Sequence, residues 1–145
     1  MVLPRFIVPD DTQILVPVEK MRAVTEQLML ACGHSADGAA QCTDVLIKND
    51  LRGNESHGMS NMLREYVRSY QQGLQNPNPD FKTLRETPGT ALIDADGALG
   101  IHAGPYAMKV AIEKARVCGA EHLLFAPFYT EKSESFAKTG SGPNI

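Results

Sequence analysis

Asp50-Leu51-Arg52-Gly53-Asn54-Glu55-Ser56-His57-Gly58-Met59-Ser60 is the stretch on which the reading of this chain turns. It is polar, and it separates two segments of helical periodicity. Before it, Ala39, Thr43, Leu46, Ile47 and Leu51 recur at the spacing of one helix face. Ser35 is a natural N-cap for that helix. After it, Met59, Met62, Leu63, Tyr66, Val67 and Tyr70 form the clearest apolar stripe in the chain. They predict a helix from Met59 to about Gln71, closed by Gly73. His57 then stands at the mouth of a helix. The partial positive charge of a helix N-terminus disfavours imidazolium. A neutral imidazole can take a proton from a hydroxyl and, once protonated, return it to a carbonyl. The alternative, on the residues alone, is a surface histidine with no role.

Outward from this stretch, Val18, Met21, Val24, Leu28 and Cys32 predict an earlier helix stopped by Gly33. Gln13 to Val16 reads as a short strand ended by Pro17, after a loose lead-in over residues 1–12. Three helices with short connections pack as a layer. Asn76-Pro77-Asn78-Pro79 is a turn and a boundary. Beyond it, Phe81 to Arg85 and Thr90 to Asp94 predict a hairpin around Thr87-Pro88-Gly89. Gly97, Gly100 and Gly104 read as a flexible loop, with Pro105 at the first position of a last helix. Met108, Ala111, Ile112 and Ala115 are its expected inner face, and Gly119 its end. His122 to Phe128 reads as a strand, and the residues from Tyr129 onward as a disordered tail. The expected division is a helical portion over 1–76, the start of a mixed α/β core over 77–120 and a divergent tail over 121–145.

Composition narrows the function classes. The chain of 145 residues is 43% hydrophobic and 21% charged, a globular balance. A net charge of -3 and the lack of a Lys/Arg run argue against nucleic acid. No apolar run approaches the roughly 20 residues of a membrane helix. Met1 to Pro9 is too short and too Pro-broken for a signal peptide, and Asp10 and Asp11 speak against a transit peptide. Cys32, Cys42 and Cys118 form no CxxC pair and read as reduced, which suits a cytoplasmic protein. His34, His102 and His122 are scattered along the chain. No Cys/His/carboxylate cluster has metal-ligand spacing, so no metal is expected.

Arg52, Arg64 and Arg68 lie near His57 in sequence, and a guanidinium can clamp a carboxylate through two parallel hydrogen bonds. The other reading, preferred on the residues alone, has them solvated and paired with Glu55 or Glu65. Gly97-Ala98-Leu99-Gly100 lacks both the Lys-Ser/Thr pair of a P-loop and the spacing of a dinucleotide fingerprint. Turn chemistry explains it better.

Leu51-Arg52-Gly53, two further residues and then Ser56-His57-Gly58 make the stretch distinctive. Gly73-Leu74-Gln75-Asn76-Pro77, Arg85 to Ala91 and Ala107-Met108 through Ile112-Glu113-Lys114-Ala115 follow in order. With these motifs the chain resembles the type 2 malate/L-lactate dehydrogenase family, which also holds ureidoglycolate, sulfolactate and diketogulonate oxidoreductases. The resemblance runs from about Ile14 to Ala120. It implies an α/β fold: an amino-terminal helical layer followed by the start of a mixed-sheet α/β/α core, non-Rossmann, sulfolactate dehydrogenase-like and incomplete. It implies NAD- or NADP-dependent interconversion of a small 2-hydroxy acid and a 2-keto acid, with His57 as acid/base, and a homodimer for a full-length form. Many members place an Arg four residues after that His. Here Asn61 stands there, leaving Asn61, Arg64 and Arg52 as the substrate-binding candidates.

After Gly119-Ala120 the resemblance stops, and the tail lacks the family's cofactor-binding core. A shifted frame, an alternative splice or a wrongly predicted gene is the expectation. The chain alone is then expected to be inactive, with the main NAD(P)-binding region absent, open strand edges and marginal stability. Two rival readings stay open: a non-catalytic association module that binds a full-length paralogue, and an unstable by-product without function.

Overall fold

The computed structural model describes residues 11–12 and 14–119. The expected strand over His122 to Phe128, the tail and most of the lead-in lie outside them. Four α-helices and one hairpin make up the described fold: α1 (Val18–Ala31), α2 (Ala36–Leu51), α3 (Arg64–Gln71), β1 (Lys82–Glu86), β2 (Ala91–Asp94) and α4 (Gly100–Cys118). A 3₁₀ turn over Glu55–His57 and a π turn over Met59–Leu63 lead into α3.

Helix α1 ends at Gly33, whose φ of 96° only glycine adopts readily. Ser35 caps α2 as expected, its Oγ accepting the Gly38 N–H at 3.2 Å. One face of α2 is the spine of the core. Ala39, Cys42, Thr43, Leu46 and Ile47 are buried against Met29 of α1, Met59, Tyr70 and Ile101. Across α1 and α2, Asp44 pairs with Lys48 at 2.6 Å and Arg22 at 3.3 Å. The Lys48 hydrogen bond, aided by Arg22 and opposed by partial desolvation, holds the Asp44 carboxyl below its ordinary value.

Asp50, in the last turn of α2, fixes the next element. Its Oδ2 accepts the Met59 N–H at 2.9 Å and so caps the helix that follows. A Cβ on Gly58 would sit 1.7 Å from Asp50 Oδ1. Gly58 has an extended backbone (φ -92°, ψ -165°) that any residue adopts. Its requirement is therefore steric, set by the carboxylate lying against its Cα.

The Asn76–Pro79 turn joins the helical layer to the hairpin. Asn78 Oδ1 accepts the Ser35 N–H at 2.8 Å, and its Nδ2 donates to the Gly33 carbonyl at 2.6 Å. Asn76 Nδ2 donates to Asp96 Oδ2 at 2.8 Å. Strands β1 and β2 pair antiparallel, with a register shift between Thr83 and Arg85. Lys114 of α4 donates to the Thr87 carbonyl at 2.7 Å and pairs with Glu86.

Five expectations need correction. Ile14 to Val16 form no strand and are exposed; a short apolar run with no neighbouring strand gains nothing from extension. In α1 the buried positions are Thr25 and Met29, while Val24 and Leu28 are exposed, so the inner face is rotated from the predicted stripe. Leu51 is 65% exposed, because α2 outruns the layer at its last turn. Helix α4 starts at Gly100, not Pro105. Ile101 and His102 are buried against α2, and Gln41 Nε2 donates to the His102 carbonyl at 2.9 Å. That burial outweighs the roughly 1 kcal/mol each of Gly100 and Gly104 and the N–H missing at Pro105. Met108 and Ile112, expected inside, are exposed.

Two outcomes follow. Gly58→Ala must expel the Asp50 carboxylate, losing the cap and straining the packing. A loss of about 2–4 kcal/mol is expected in urea unfolding, and an unchanged midpoint would reject the steric requirement. For Asp44, a depressed folded-state pKa means stability that is present above the ordinary Asp range and lost as pH falls through the folded value. Asp44→Asn, partly exposed, should cost under ~1 kcal/mol at pH 7. The gap to the unsubstituted chain should close as pH drops below the ordinary Asp range. A gap that widens on acidification would be inconsistent with the pairing.

Candidate functional site

His57 sits at the end of the connection that leaves α2. The Arg52, Gly53 and Asn54 N–H groups fold back onto the carbonyls of Asn49, Asp50 and Asn49 respectively. Gly53, at φ 71°, makes this reversal possible. The His57 N–H then donates to the Asn54 carbonyl at 3.1 Å, closing the 3₁₀ turn. The ring is exposed, one residue ahead of Gly58, the N-cap of the following helical segment. The helix entrance predicted for His57 is thus observed. The field there differs from the expectation, because the Asp50 carboxylate on the Met59 N–H offsets the partial positive charge.

A directional hydrogen-bond chain decides which ring nitrogen of His57 carries the proton. It begins at the Val45 carbonyl, which can only accept, and which takes Asn49 Nδ2 at 3.1 Å. Asn49 Oδ1 therefore faces outward as an acceptor and takes Asn54 Nδ2 at 3.2 Å. Asn54 Oδ1 in turn takes the Ser56 hydroxyl at 3.2 Å. Ser56 has one proton, already committed, so at 2.9 Å its Oγ accepts from His57 Nδ1. The neutral ring is then protonated at Nδ1, and its lone pair is at Nε2.

The remaining candidates divide. Asn61 Nδ2 donates to the Glu55 carbonyl at 3.1 Å, which also takes Ser60 Oγ and the Gly58 N–H. Asn61 therefore braces the loop that carries His57. Arg64 pairs with Glu65 at 3.4 Å in the first turn of α3, and Arg68 with the same carboxylate at 3.6 Å. This is the solvated pairing weighed in the sequence. Arg52 is exposed at the end of α2, and its side chain has no partner among the described residues. Asp50, Asn49 and Asn54 were not singled out as site residues. The signal was present for Asp50, a carboxylate eight residues before a glycine at a helix start, but only the fold brings the two together.

A second cluster was hidden by separation along the chain. His34 and His102, read as scattered, meet Cys42, read as a reduced cysteine, in the core. The His34 ring stands edge-on to Tyr70 with centroids 4.7 Å apart, and lies 5.4 Å from the ring of His102. Burial, with the charge of His102, pushes His34 down to about 4. Burial also lowers His102 and pushes the Cys42 thiol up to about 12. Both imidazoles are neutral at pH 7.

Residues 16–123 match the family of malate/L-lactate dehydrogenases. Malate dehydrogenase of Pyrococcus abyssi is 37% identical over 110 residues, covering 76% of this chain and 30% of the relative. L-sulfolactate dehydrogenase of Methanocaldococcus jannaschii is 34% identical over 126 residues, 81% of this chain and 36% of the relative. In three dimensions the chain is similar to malate dehydrogenase from Pyrococcus horikoshii OT3, with a TM-score of 0.70, 36% identity and coverage of 74% of this chain and 30% of that one. The chain thus spans about a third of the length of these relatives. Its helices and small sheet are a partial form of their mixed fold. Motif order, family match and shared architecture agree, and the chain belongs to the malate/L-lactate dehydrogenase family.

Proposed function

We propose that this chain is the helical portion and the start of the mixed α/β core of an NAD(P)-dependent oxidoreductase that interconverts a small 2-hydroxy acid and a 2-keto acid. His57 is its acid/base. The observation that carries this reading is the chain from the Val45 carbonyl to Ser56, which leaves the Nε2 lone pair of an exposed imidazole free. In the oxidation direction Nε2 takes the substrate hydroxyl proton, and Ser56 holds the ring while it is charged. In the reverse direction the imidazolium returns the proton to the keto oxygen. Arg52, without an ion pair among the described residues, is the free cation nearest in sequence for a substrate carboxylate. Asn61 acts by shaping the loop.

The glycine-bearing entrance of α4 does not fit the phosphates of a nicotinamide dinucleotide. The Leu99 carbonyl at the start of α4 takes the His102 and Ala103 N–H groups, and Ile101 and His102 are buried against α2. That helix entrance is committed to the packing of α4 on α2.

One observation favours a second reading. Leu84, Leu92, Met108, Ile112 and Val117 expose apolar side chains on the hairpin and α4. As an association module, the chain would cover them by docking on a full-length relative. A mixed complex seen by native mass spectrometry, with NADH fluorescence unchanged by the chain, would favour this module over the enzyme.

Two substitutions test the catalytic reading in a protein that joins these residues to the family's remaining length. His57→Ala should lower turnover by about 10²–10⁴-fold, and near-normal turnover would eliminate His57 as the acid/base. Asn54→Leu breaks the directional chain while leaving His57 in place. It should lower kcat and leave KM near its starting value. A rise in KM with kcat preserved would show that Asn54 serves binding instead.

A further inference from the structure

Three donors from three elements converge in the core, apart from His57. His34 follows α1, Cys42 lies in the second turn of α2 and His102 in the first turn of α4. One ligand atom from each lies within 4.8 Å of the others. The residues are 5%, 0% and 9% exposed. Both ring nitrogens of His34 and Nδ1 of His102 are buried with no hydrogen-bond partner among the described residues. An orphaned buried polar group costs about 1–3 kcal/mol, and folded proteins rarely leave several together.

The space between the rings is kept by a glycine. A Cβ on Gly38 would lie 3.2 Å from His102 Cε1 and 3.3 Å from His34 Nδ1. Gly38 lies in the first turn of α2, its N–H on the Ser35 cap, and alanine is intrinsically the better helix former there. Glycine leaves both rings room to turn toward a common centre.

Two imidazoles and a thiol are a donor set for a borderline-soft divalent ion, not for calcium or magnesium. We propose that His34, Cys42 and His102 bind a zinc ion that ties the α1–α2 junction, α2 and α4 together. Tetrahedral bond lengths put ligand atoms about 3.3–3.6 Å apart, so the side chains close by roughly 1 Å or a little more. Binding breaks the Cys42 S–H bond, forms a metal–sulfur bond and releases the proton to solvent. The sulfur lone pair supplies the bond, so no oxidant or reductant is needed. The fourth position falls to a non-protein donor. This site is independent of the redox reading of His57.

Cobalt(II) is the probe. Added to the metal-free 145-residue chain, it should saturate at one ion per chain. Tetrahedral visible bands and a near-ultraviolet thiolate-to-cobalt band should appear, and equimolar zinc should erase both. Cys42→Ser should abolish the thiolate band, and Cys32→Ser and Cys118→Ser should keep it. A wild-type chain without that band at saturating cobalt overturns the proposal, as does a band lost with Cys32 or Cys118. Should Cys42→Ser fail to fold, X-ray absorption of the zinc-loaded wild type decides. Two nitrogens near 2.0–2.1 Å and one sulfur near 2.3 Å are expected, and an oxygen-only shell overturns the site.

Discussion

The carboxylate of Asp50 lies against the Cα of Gly58 and takes the Met59 N–H, and the presentation of His57 depends on that contact. It joins the last turn of α2 to the first residue of the next helical segment. The chain between, residues 52–58, has no freedom to swing once both ends are held. Asn49, one residue earlier on the same turn of α2, supports the loop from within through Asn54. The buried face of α2 thus acts as a ruler. Ala39, Cys42, Leu46 and Ile47 set the helix in the core, and the two polar residues at its end hand that position on to the histidine. The cap is worth about 1 kcal/mol. Its functional weight is geometric, because it fixes where an imidazole nitrogen stands.

Periodicity located α2, the α1 span, the third helical segment and the hairpin to within a residue or two at most ends. Each has a strong local signal: an N-cap serine, a glycine stop, an apolar stripe or a turn triplet. The misreadings share one physical cause. Gly100 and Gly104 looked like loop residues, and Pro105 like a helix start, because local propensity speaks against a helix there. The burial of Ile101 and His102, with Gln41 on the His102 carbonyl, overrides it. Val24 and Leu28 looked like core because they are apolar, yet Thr25 is the buried residue, its hydroxyl directed at the Met59 sulfur. An apolar count cannot see that a threonine faces inward. The place of His57 at a helix entrance was legible from the sequence; the asparagines bonded around it were not, because nothing in their spacing reveals which way an amide points.

The described fold also has an uneven surface. The helical layer buries its own core, while β1 is exposed along its length and α4 presents Met108, Ile112 and Val117 outward. An isolated two-stranded hairpin is marginal in water. Here it is held by side-chain bonds from Lys114, and the turn leading to it by the Asn78 clamp on Gly33 and Ser35. These polar ties stabilise the hairpin where its apolar side chains find little cover. The longer relatives, of which this chain spans about a third, have the length to supply such cover.

The histidines divide according to what surrounds them, and that division separates two kinds of chemistry. His57 is exposed and partnered, with one nitrogen committed to Ser56 and the other open. An imidazole so placed is held in direction with one nitrogen open, as the proposed acid/base role requires. His34 and His102 are buried, neutral and unpartnered, beside a thiol that burial keeps protonated. Desolvation withholds protons from them but not a divalent ion, whose bonds to nitrogen and sulfur repay what water no longer provides. On the two proposals, the same kind of side chain carries a proton in the turn just after α2 and binds a metal in the core beneath it. What separates the roles is the partner that the fold supplies in one place and omits in the other.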